Sequence, residues 1–246
     1  MTLLEVERVS KAFGGVRAVS DVSFAVAEGE LVGVMGPNGS GKTTLFNLIA
    51  GALRPDAGAI RLRDRNLAGR APHRVCAEGI ARTFQLVRPF AGLSALDNVL
   101  VGRLYGRARG ARHAAVGEAE RLLALVGLEG KAHRLPAHLT LIDRKRLELA
   151  RALATAPRLL LLDEFMAGLN PAETESAMAL IRRIQGEGVT LLMVEHIVWA
   201  LMDLSRRLIV LSAGEKIADG PPDAVAADPL VIEVYLGGTR GSARRA

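Results

Sequence analysis

Apolar and polar side chains alternate through most of the first thirty residues of the chain. The apolar positions that set this pattern are Val6, Val9, Val22, Phe24 and Val26. Alternation with a period of two places one face of a strand against a core, and the pair Gly14-Gly15 between the two runs offers a turn. The pattern therefore predicts that the chain begins with antiparallel strands that form a small sheet.

Three later segments are short and apolar at nearly every position. They are Leu31 to Met35, Leu159 to Leu162 and Thr190 to Val194. Such a run is typical of a strand that is covered on both faces, as in a parallel sheet. Helical stretches follow the first two runs, at about Gly41 to Ala50 and at Ala172 to Gln185. The alternation of strands and helices predicts an α/β fold.

Helical periodicity dominates the middle of the chain, from about residue 92 to residue 155. Side chains with helical spacing there include Glu118, Arg121, Leu122, Leu125 and Val126, and Gly127 and Pro136 interrupt the pattern. Apolar residues three and four positions apart form one face of a helix. We therefore predict a helical subdomain at about 92–155, inserted into a core at about 1–91 and 156–236. A glycine-rich basic tail, 237–246, is predicted to fray.

Composition narrows the class of protein. The chain has 246 residues, of which half are apolar and about a quarter are charged, so it can bury a substantial core. Its one cysteine, Cys76, excludes an internal disulfide and offers no thiolate cluster for a metal. We expect a packing role for Cys76 in a reducing compartment.

The sequence shows neither a secretory signal nor a membrane span. Acidic Glu5 and Glu7 follow Met1, and no basic segment leads into an apolar stretch. The longest apolar segment, Val189 to Met202, contains Glu195 and His196 and falls short of the roughly 20 apolar residues that cross a bilayer. We expect a protein that stays inside the cell without crossing the membrane itself.

The net charge of +6 and the pI of about 10.1 would suit either nucleic acid or an anionic membrane surface. The basic residues are scattered in arginine-rich patches such as Arg103 to Arg112, with almost no aromatic side chains for stacking on bases. This distribution favours a solvated face or proximity to lipid over nucleic-acid binding.

A phosphate-binding loop follows the first buried run. The segment Gly36-Pro37-Asn38-Gly39-Ser40-Gly41-Lys42-Thr43 satisfies the P-loop pattern between a predicted strand and a predicted helix. Its glycines let backbone N–H groups surround phosphate oxygens at a helix N-terminus. Lys42 is predicted to reach the β- and γ-phosphates of ATP and Thr43 to bind Mg²⁺, and the remaining nucleotide-binding residues are predicted to be Asn38, Gly39, Ser40, Gly41 and Thr44.

Two carboxylates stand at the end of the second buried run. Asp163 and Glu164 follow Leu159 to Leu162, and a parallel strand would bring them beside the phosphate loop. Asp163 is predicted to hold Mg²⁺ through water. Glu164 is predicted to be the general base that polarises the attacking water. Without the P-loop, this pair of residues would indicate only a strand that ends in solvent.

Further segments resemble those of ABC-family nucleotide-binding domains, over nearly the whole chain. Arg82-Thr83-Phe84-Gln85 resembles the family's Q-loop, Glu195-His196 its switch histidine, and Ala167-Gly168-Leu169-Asn170-Pro171 its D-loop, with Asn170 where many relatives carry aspartate. The resemblance implies a P-loop NTPase (RecA-like) core with an antiparallel β subdomain and an inserted helical subdomain. It also implies that Gln85 senses Mg²⁺ and the γ-phosphate, and that His196 hydrogen-bonds the γ-phosphate.

Within this family the chain is most similar to ATPases of branched-chain amino acid importers. Phe13-Gly14-Gly15-Val16 and Val234-Tyr235-Leu236-Gly237 are typical of that branch, and Phe13 stands where relatives stack an aromatic ring on adenine. A half-buried strand residue is the alternative for Phe13. The resemblance implies that the solute is a branched-chain or related amino acid.

The sequence departs from the family at its signature. Relatives carry Leu-Ser-Gly-Gly-Gln, whereas this chain has Leu139-Thr140-Leu141-Ile142-Asp143. The resemblance implies that each ATP lies between one subunit's P-loop and the other's signature, so side chains at Leu141 and Ile142 would hinder close backbone approach. Asp143 would repel phosphate unless it points away or pairs with Arg144 or Lys145. Phe165 replaces a usual proline, which we expect to affect packing more than chemistry.

The resemblance implies a set of partners for the chain. They are integral-membrane permease subunits, a second ATPase subunit or an identical copy, and indirectly a solute-binding protein, at the cytoplasmic face of the cell membrane. Alternatives are a lipid-export ATPase, a nucleic-acid-associated ABC ATPase and a non-hydrolysing regulatory subunit. The short, heptad-free distance from Lys42 to Leu139 and the single P-loop disfavour the nucleic-acid class, and Glu164 with His196 disfavours the regulatory one.

Overall fold

The computed structural model describes residues 1–84, 87–107 and 112–236. The β-strands are β1 Thr2–Phe13, β2 Val16–Ala27, β3 Leu31–Met35, β4 Ala57–Leu62, β5 Arg65–Asn66, β6 Ile80–Arg82, β7 Leu159–Asp163, β8 Thr190–Val194, β9 Arg207–Ser212 and β10 Glu215–Gly220. The α-helices are α1 Lys42–Ile49, α2 Pro72–Glu78, α3 Ala95–Tyr105, α4 Arg112–Leu125, α5 Leu141–Ala154, α6 Pro171–Gly186, α7 Val198–Leu204, α8 Pro222–Ala226 and α9 Pro229–Leu236. Short 3₁₀ turns lie at Glu129–Lys131 and Pro136–His138.

A largely parallel sheet forms the centre of the molecule, in the order β10-β9-β3-β8-β7-β6 among the described residues. β3, β7 and β8 are buried at every position, and they pair in parallel with their neighbours. These strands are the three apolar runs that the sequence pattern predicts, with β7 one residue longer because it includes Asp163. Helices on both faces exclude water from the strands, which is why the runs do not alternate.

The N-terminal strands form the predicted antiparallel sheet, in the order β2-β1-β4-β5. Gly14, at φ 57°, provides the turn between β1 and β2 because glycine adopts a positive φ without a Cβ clash. Leu4, Val9, Val22 and other inward residues of this sheet pack in one cluster with the apolar face of α1. The antiparallel sheet is thereby attached to the helix that follows the phosphate loop.

The predicted helical region contains α3, α4 and α5. Leu122, Leu123 and Val126 pack with Leu147 of α5, and the same apolar cluster continues into β7 and β8. Among the described residues of this region, the three helices agree with the predicted periodicity, and the helical subdomain with its boundaries stays a prediction. The tail 237–246 lies outside the described residues.

Asn98 fixes the segment that enters α3. Its side chain has no exposed surface. Its amide nitrogen donates to the carbonyl oxygens of Phe90, Leu93 and Ser94, at 3.1, 3.1 and 2.9 Å, and its Oδ1 accepts from Phe90 N at 2.8 Å. A buried amide that uses both its donors and its acceptor holds an irregular segment in one conformation.

No described helix combines the length and the apolar character that a membrane span requires.

Candidate functional site

The register of the parallel strands brings three charged segments to one edge of the sheet. Val34 of β3 and Asp163 of β7 both lie opposite Val194 of β8. The residues that follow are therefore neighbours: Gly36 begins the phosphate loop, Glu164 follows β7, and Glu195 follows β8. This edge is where ligands bind in open parallel sheets.

The phosphate loop depends on glycines at two close backbone contacts. A Cβ on Gly36, at φ 151°, would lie 2.2 Å from Leu211 O, and one on Gly41, at φ 105°, would lie 2.3 Å from Ala18 O. No other residue fits there without moving backbone. A Cβ on Gly39 would meet nothing within 4 Å, so the loop is open to a ligand above this exposed residue.

Lys42 is buried at the start of α1, where carbonyl oxygens of the phosphate loop accept from its ammonium group. Its Nζ donates to Gly36 O at 2.7 Å and Pro37 O at 2.9 Å, and Ser40 Oγ lies at 3.5 Å. Within the described part of the chain, no carboxylate oxygen lies within 4.0 Å of this ammonium group. Burial lowers the pKa of Lys42, and the charges of Glu164 and Asp163 oppose that shift. An anion such as a phosphate group would supply the missing counter-charge.

The other predicted nucleotide-binding residues differ in exposure. Ser40 is buried, Thr44 is half-buried, and Asn38 and Thr43 are exposed. Phe13 ends β1 with 47% of its surface exposed, and Lys11 Nζ lies 5.7 Å from its ring centroid. A ring with one free face can stack on a planar ligand.

Asp163 is buried and paired with Arg82. Arg82 Nη2 lies 2.6 Å from Asp163 Oδ2, and Arg82 Nη1 donates to Asn47 Oδ1 at 2.6 Å. Asp163 is 4% exposed, and its backbone N–H donates to Thr83 Oγ1 at 3.3 Å. The sequence predicts Asp163 at this edge, and the ion pair with Arg82 is a feature that the structure adds.

The oxygen donors at this edge fit Mg²⁺. Mg²⁺ in nucleotide sites is held by one or two protein oxygens, substrate phosphates and water. Thr43 presents an exposed hydroxyl, and Asp163 a carboxylate with Oδ2 engaged by Arg82. The described residues contain no cluster of three or more His, Cys, Asp or Glu side chains that could hold a metal ion by themselves. This donor set fits a cation that arrives with the nucleotide.

Glu164 has an unusual backbone and contacts His196. Its φ of 52° lies in the left-handed region, which is rare for a residue with a side chain. Its N–H donates to Val194 O at 2.9 Å, and Lys145 Nζ donates to its carbonyl oxygen at 3.4 Å. Glu164 Oε1 lies 2.8 Å from His196 Nε2. The structure therefore unites the predicted base with the predicted switch histidine.

Gln85 lies outside the described residues, so its predicted role stays a prediction. Phe84, just before it, donates its backbone N–H to Glu148 Oε1 of α5 at 3.2 Å. This hydrogen bond connects the Q-loop segment with α5, the helix that begins in the signature.

A buried charged cluster lies behind Glu164. Lys145, Glu148 and Glu195 are each at most 4% exposed. Burial raises the pKa of Glu148 to about 7 and that of Glu195 to about 7, while the nearby charge of Lys145 opposes both shifts. Glu195 Oε1 also accepts from Met166 N at 2.8 Å. Burial lowers the pKa of Lys145 in turn. The cluster connects α5 with the ends of β7 and β8.

Residues of the substituted signature cap the start of α5, and Asp143 also pairs with a base. Thr140 and Asp143 form a capping box: Asp143 N donates to Thr140 Oγ1 at 3.2 Å, and Thr140 N donates to Asp143 Oδ2 at 3.3 Å. Asp143 Oδ2 also accepts from Lys131 Nζ at 2.6 Å. Of the two alternatives that the sequence leaves open, the structure shows the side chain directed away, toward the 3₁₀ turn Glu129–Lys131, and the base that pairs with Asp143 is Lys131 rather than Arg144 or Lys145. Leu141 remains 46% exposed beside Gly168.

Several residues of this site had no assigned role from the sequence. Arg82 belongs to the quoted Q-loop segment, yet nothing in the sequence pairs it with Asp163. Glu195 is visible as a charge inside an apolar run. The sequence shows Lys145 and Glu148 only as charges on the otherwise apolar face of α5. Nothing in the sequence near Lys131 indicates its ion pair with Asp143, because that contact depends on how the 3₁₀ turn Glu129–Lys131 packs against the start of α5.

The comparisons with known families support this geometry. Residues 19–167 match the family described as "ABC transporter", and residues 215–240 match the one described as "Branched-chain amino acid ATP-binding cassette transporter". The chain is 38% identical to the high-affinity branched-chain amino acid transport ATP-binding protein BraF of Pseudomonas aeruginosa, over 96% of this chain and 98% of BraF. It is 36% identical to the lipopolysaccharide export system ATP-binding protein LptB of Acidithiobacillus ferridurans, over 96% and 97%.

Solved structures of cassettes share the fold. The ADP conformation of MJ1267, an ATP-binding cassette of an ABC transporter, superposes with a TM-score of 0.88 at 30% identity, covering 96% of this chain and 99% of that one. The dimeric structure of MJ0796, a bacterial ABC transporter cassette, gives 0.81 at 27% identity, covering 89% and 99%.

Glu195→Gln tests the raised pKa. The native protein holds a proton on Glu195 that the unfolded chain releases between its ordinary pKa of 4.5 and about 7. The contribution of this group to stability therefore falls as pH rises through that window. Gln keeps the oxygen that accepts from Met166 and has no charge. We expect Glu195→Gln to be more stable than wild type at pH 8, by at most about 3 kcal/mol, and little different at pH 5.

Denaturant unfolding from pH 5 to pH 8 measures this difference. Glu148 titrates in both proteins, so its contribution largely cancels. Glu175→Gln, the same change at an exposed position, is the matched control. A stability difference that does not change with pH would contradict the raised pKa.

Proposed function

The chain belongs to the ABC transporter family, and we propose that, as the ATPase of an importer, it powers uptake of a branched-chain amino acid or a close relative. The support for this solute class is the match of residues 215–240 to the branched-chain amino acid cassettes, together with the name of the Pseudomonas relative. Similarity to LptB makes lipid export the second candidate, but it lacks the support of that C-terminal match.

Nucleotide binding is assigned to the phosphate loop. The open backbone of Gly39 and the neighbouring N–H groups of Ser40, Gly41 and Thr44 would receive phosphate oxygens. Lys42, which lacks a counter-charge among the described residues, would turn its ammonium from loop carbonyls to the β- and γ-phosphates. The exposed ring of Phe13 would stack on the base.

Thr43 and Asp163 would hold the cation. Mg²⁺ bound there would neutralise charge on the β- and γ-phosphates. The hydroxyl of Thr43 would ligate it directly, and the buried carboxylate of Asp163 would orient it through water. Gln85, outside the described residues, is proposed as a further ligand and sensor.

Glu164 would act as the general base and His196 as its positioning partner. Val194 and Lys145 hold the left-handed backbone of Glu164, and its carboxylate is close enough to Lys42 of the phosphate loop for its charge to oppose the lowering of that lysine's pKa by burial. His196 lies 2.8 Å from that carboxylate, so it can orient Glu164 and donate to a γ-phosphate oxygen once the nucleotide is bound.

We propose that a permease subunit docks in a groove between the sheet and the helices, at the cytoplasmic face of the membrane. This docking groove has a volume of about 430 Å³ and is lined by Phe84, Phe90, Tyr105, Arg151 and Cys76, among others. Tyr105 is 76% exposed, and Phe84 and Phe90 are about half exposed. The groove is lined both by Phe84, next to Gln85, and by α5. One element of the permease could therefore contact the Q-loop segment and α5 at the same time.

We propose that the second cassette is a different chain. The capping box occupies the N–H groups of Thr140 and Asp143, and Leu141 extends from the face that the resemblance assigns to the partner's ATP. Asp143 with Lys131 makes a neutral pair that contributes no positive charge to a phosphate. A homodimer would carry this face at both sites, whereas a mixed pair would keep one complete site. A solute-binding protein would act on the permeases and contact this chain only indirectly.

Lys42→Ala and Glu164→Gln separate binding from hydrolysis. We expect Lys42→Ala to weaken ATP binding by at least roughly tenfold, because a phosphate-facing ammonium is lost. Glu164→Gln should keep ATP affinity and lower turnover by roughly a hundredfold or more, because the amide cannot accept the proton. Equilibrium binding of ATP and steady-state hydrolysis in the assembled transporter measure both effects. Near-normal hydrolysis by Glu164→Gln would remove Glu164 from the base role, and unchanged affinity of Lys42→Ala would remove the lysine from the phosphate site.

Tyr105→Asp tests the docking groove. A carboxylate in a contact that excludes water should weaken assembly with the permeases by roughly tenfold or more, and ATP binding to the isolated chain should not change. Co-purification with the permeases and an ATP titration measure the two properties. Val16→Asp, which places the same charge at another exposed apolar position, is the matched control. Equal co-purification of both variants would place the permease contact elsewhere.

Restoring the signature tests the mixed pair. We expect the chain alone to hydrolyse ATP slowly, the assembly with the second cassette and permeases to hydrolyse it much faster, and the triple variant Leu141→Gly, Ile142→Gly, Asp143→Gln to raise the activity of the chain alone. Lys131→Met is the control, since it breaks the Asp143 ion pair and keeps the bulky side chains. A melting curve checks the triple variant, which loses a capping box. Equal rates for the chain alone and the mixed assembly, without gain on restoration, would exclude the proposal.

A further inference from the structure

Arg82 lies between α1, the helix that follows the phosphate loop, and the carboxylate of Asp163 at the end of β7. It is the last residue of β6, and its side chain is 9% exposed. One terminal nitrogen binds Asp163 Oδ2 and the other binds Asn47 Oδ1 of α1, both at 2.6 Å. The guanidinium group also lies 5.9 Å from the ring of Phe46 and 5.4 Å from that of Phe84. These two polar contacts and two aromatic rings hold the guanidinium group in one position.

The ion pair with Arg82 compensates a charge that would otherwise be buried alone. Over the described ranges, Arg82 is the one cation within 4.0 Å of the Asp163 carboxylate. Lys42, the other buried cation at this edge, is bonded to loop carbonyls instead. A carboxylate that is 4% exposed needs a close positive charge to stay in place.

The arginine is held for electrostatic reasons rather than for hydrogen bonding alone. Its Nε is buried and has no hydrogen-bond partner among the described atoms, so the site does not satisfy every donor of the group. Aromatic faces favour a cation over a neutral group of the same shape. The environment therefore selects a positive charge at a fixed distance from Asp163.

We propose that Arg82 is a built-in counter-cation for Asp163, which neutralises this carboxylate before the nucleotide-bound divalent cation arrives and limits how tightly that cation is held afterwards. The inference rests on the proposed function, in which Asp163 faces the divalent cation. Arg82 is a positioning residue, because it acts through Asp163 and Phe84 and need not touch the nucleotide.

The physical consequence is a competition for one carboxylate. Two positive charges that share Asp163 repel each other, and each weakens the other's hold on it. Loss of the arginine charge therefore strengthens the cation's contribution to nucleotide binding. A purely structural role for Arg82 predicts the opposite sign, because a loosened Asp163 would hold the cation less well.

The test is the magnesium factor, defined as the Kd for a fluorescent ADP analogue in EDTA divided by its Kd in Mg²⁺. We expect Arg82→Met to raise this factor by roughly threefold to tenfold over wild type, and Arg82→Lys, which keeps the charge, to stay near wild type. Asp163→Asn should lower the factor, and adding Arg82→Met to it should change nothing further. Arg63→Met, which breaks an exposed 2.6 Å pair with Glu28, is the matched control with an unchanged factor.

Melting temperatures keep the proposal testable if the single variant is unstable. Arg82→Met should melt roughly 10 °C below wild type, because it leaves a buried carboxylate unpaired, and Asp163→Asn in the same chain should restore most of the loss. An equal loss in the single and double variants, or a magnesium factor of Arg82→Met at or below that of wild type, would overturn the counter-cation role. If Asp163→Asn itself leaves the factor unchanged, the proposed metal role of Asp163 fails instead.

Discussion

The alignment of three parallel strands determines where the charges of this site can lie. β3, β7 and β8 end within one residue of each other, because Val34 and Asp163 share Val194 as their neighbour across the sheet. A slip of one residue in the pairing of β7 with β8 would turn Asp163 to the other face of the sheet, and a slip in the pairing of β3 with β8 would turn the side chains of β3 in the same way. Uninterrupted burial of all three strands makes such a slip unfavourable, so the apolar core fixes the geometry of the charged edge.

The same core makes an unpaired buried charge unfavourable, and most buried charged side chains of this site lie near an opposite charge. Asp163 is compensated by Arg82, and the cluster of Lys145, Glu148 and Glu195 shares its charges behind Glu164. Lys42 differs from these groups because only neutral oxygens meet it within the described chain. A buried ammonium group that has no carboxylate within ion-pair distance favours the binding of an anion. The hydrogen bonds of this cluster also link α5 with Phe84 after β6 and with Glu164 after β7, and they link Glu195 after β8 with Met166.

The substituted signature has a structural role at the start of α5. Asp143 stabilises the start of α5 through the capping box and Lys131, so the helix gains a good N-terminus. The same contacts occupy the backbone N–H groups of Thr140 and Asp143. In the proposed mixed pair, this cap stabilises α5 and leaves these two N–H groups unable to donate to a partner's ATP.

The sequence by itself determined part of the fold and the main candidate residues. The predicted elements include β1 to β3, β7, β8 and the helices α1 and α6. Apolar runs of strand length, the glycines of the phosphate loop and a lysine at a helix start are local signals, and the predictions for Lys42, Asp163 and Glu164 follow from them. The prediction for His196 came from the resemblance to a known family. The sequence left open whether Asp143 points away or pairs with an adjacent base, and it did not identify Lys131, twelve positions earlier, as the partner. The pairing of Arg82 with Asp163 likewise joins residues 81 positions apart. Tertiary structure decided these contacts, because the partner of a buried charge is set by which elements pack together and not by distance along the chain.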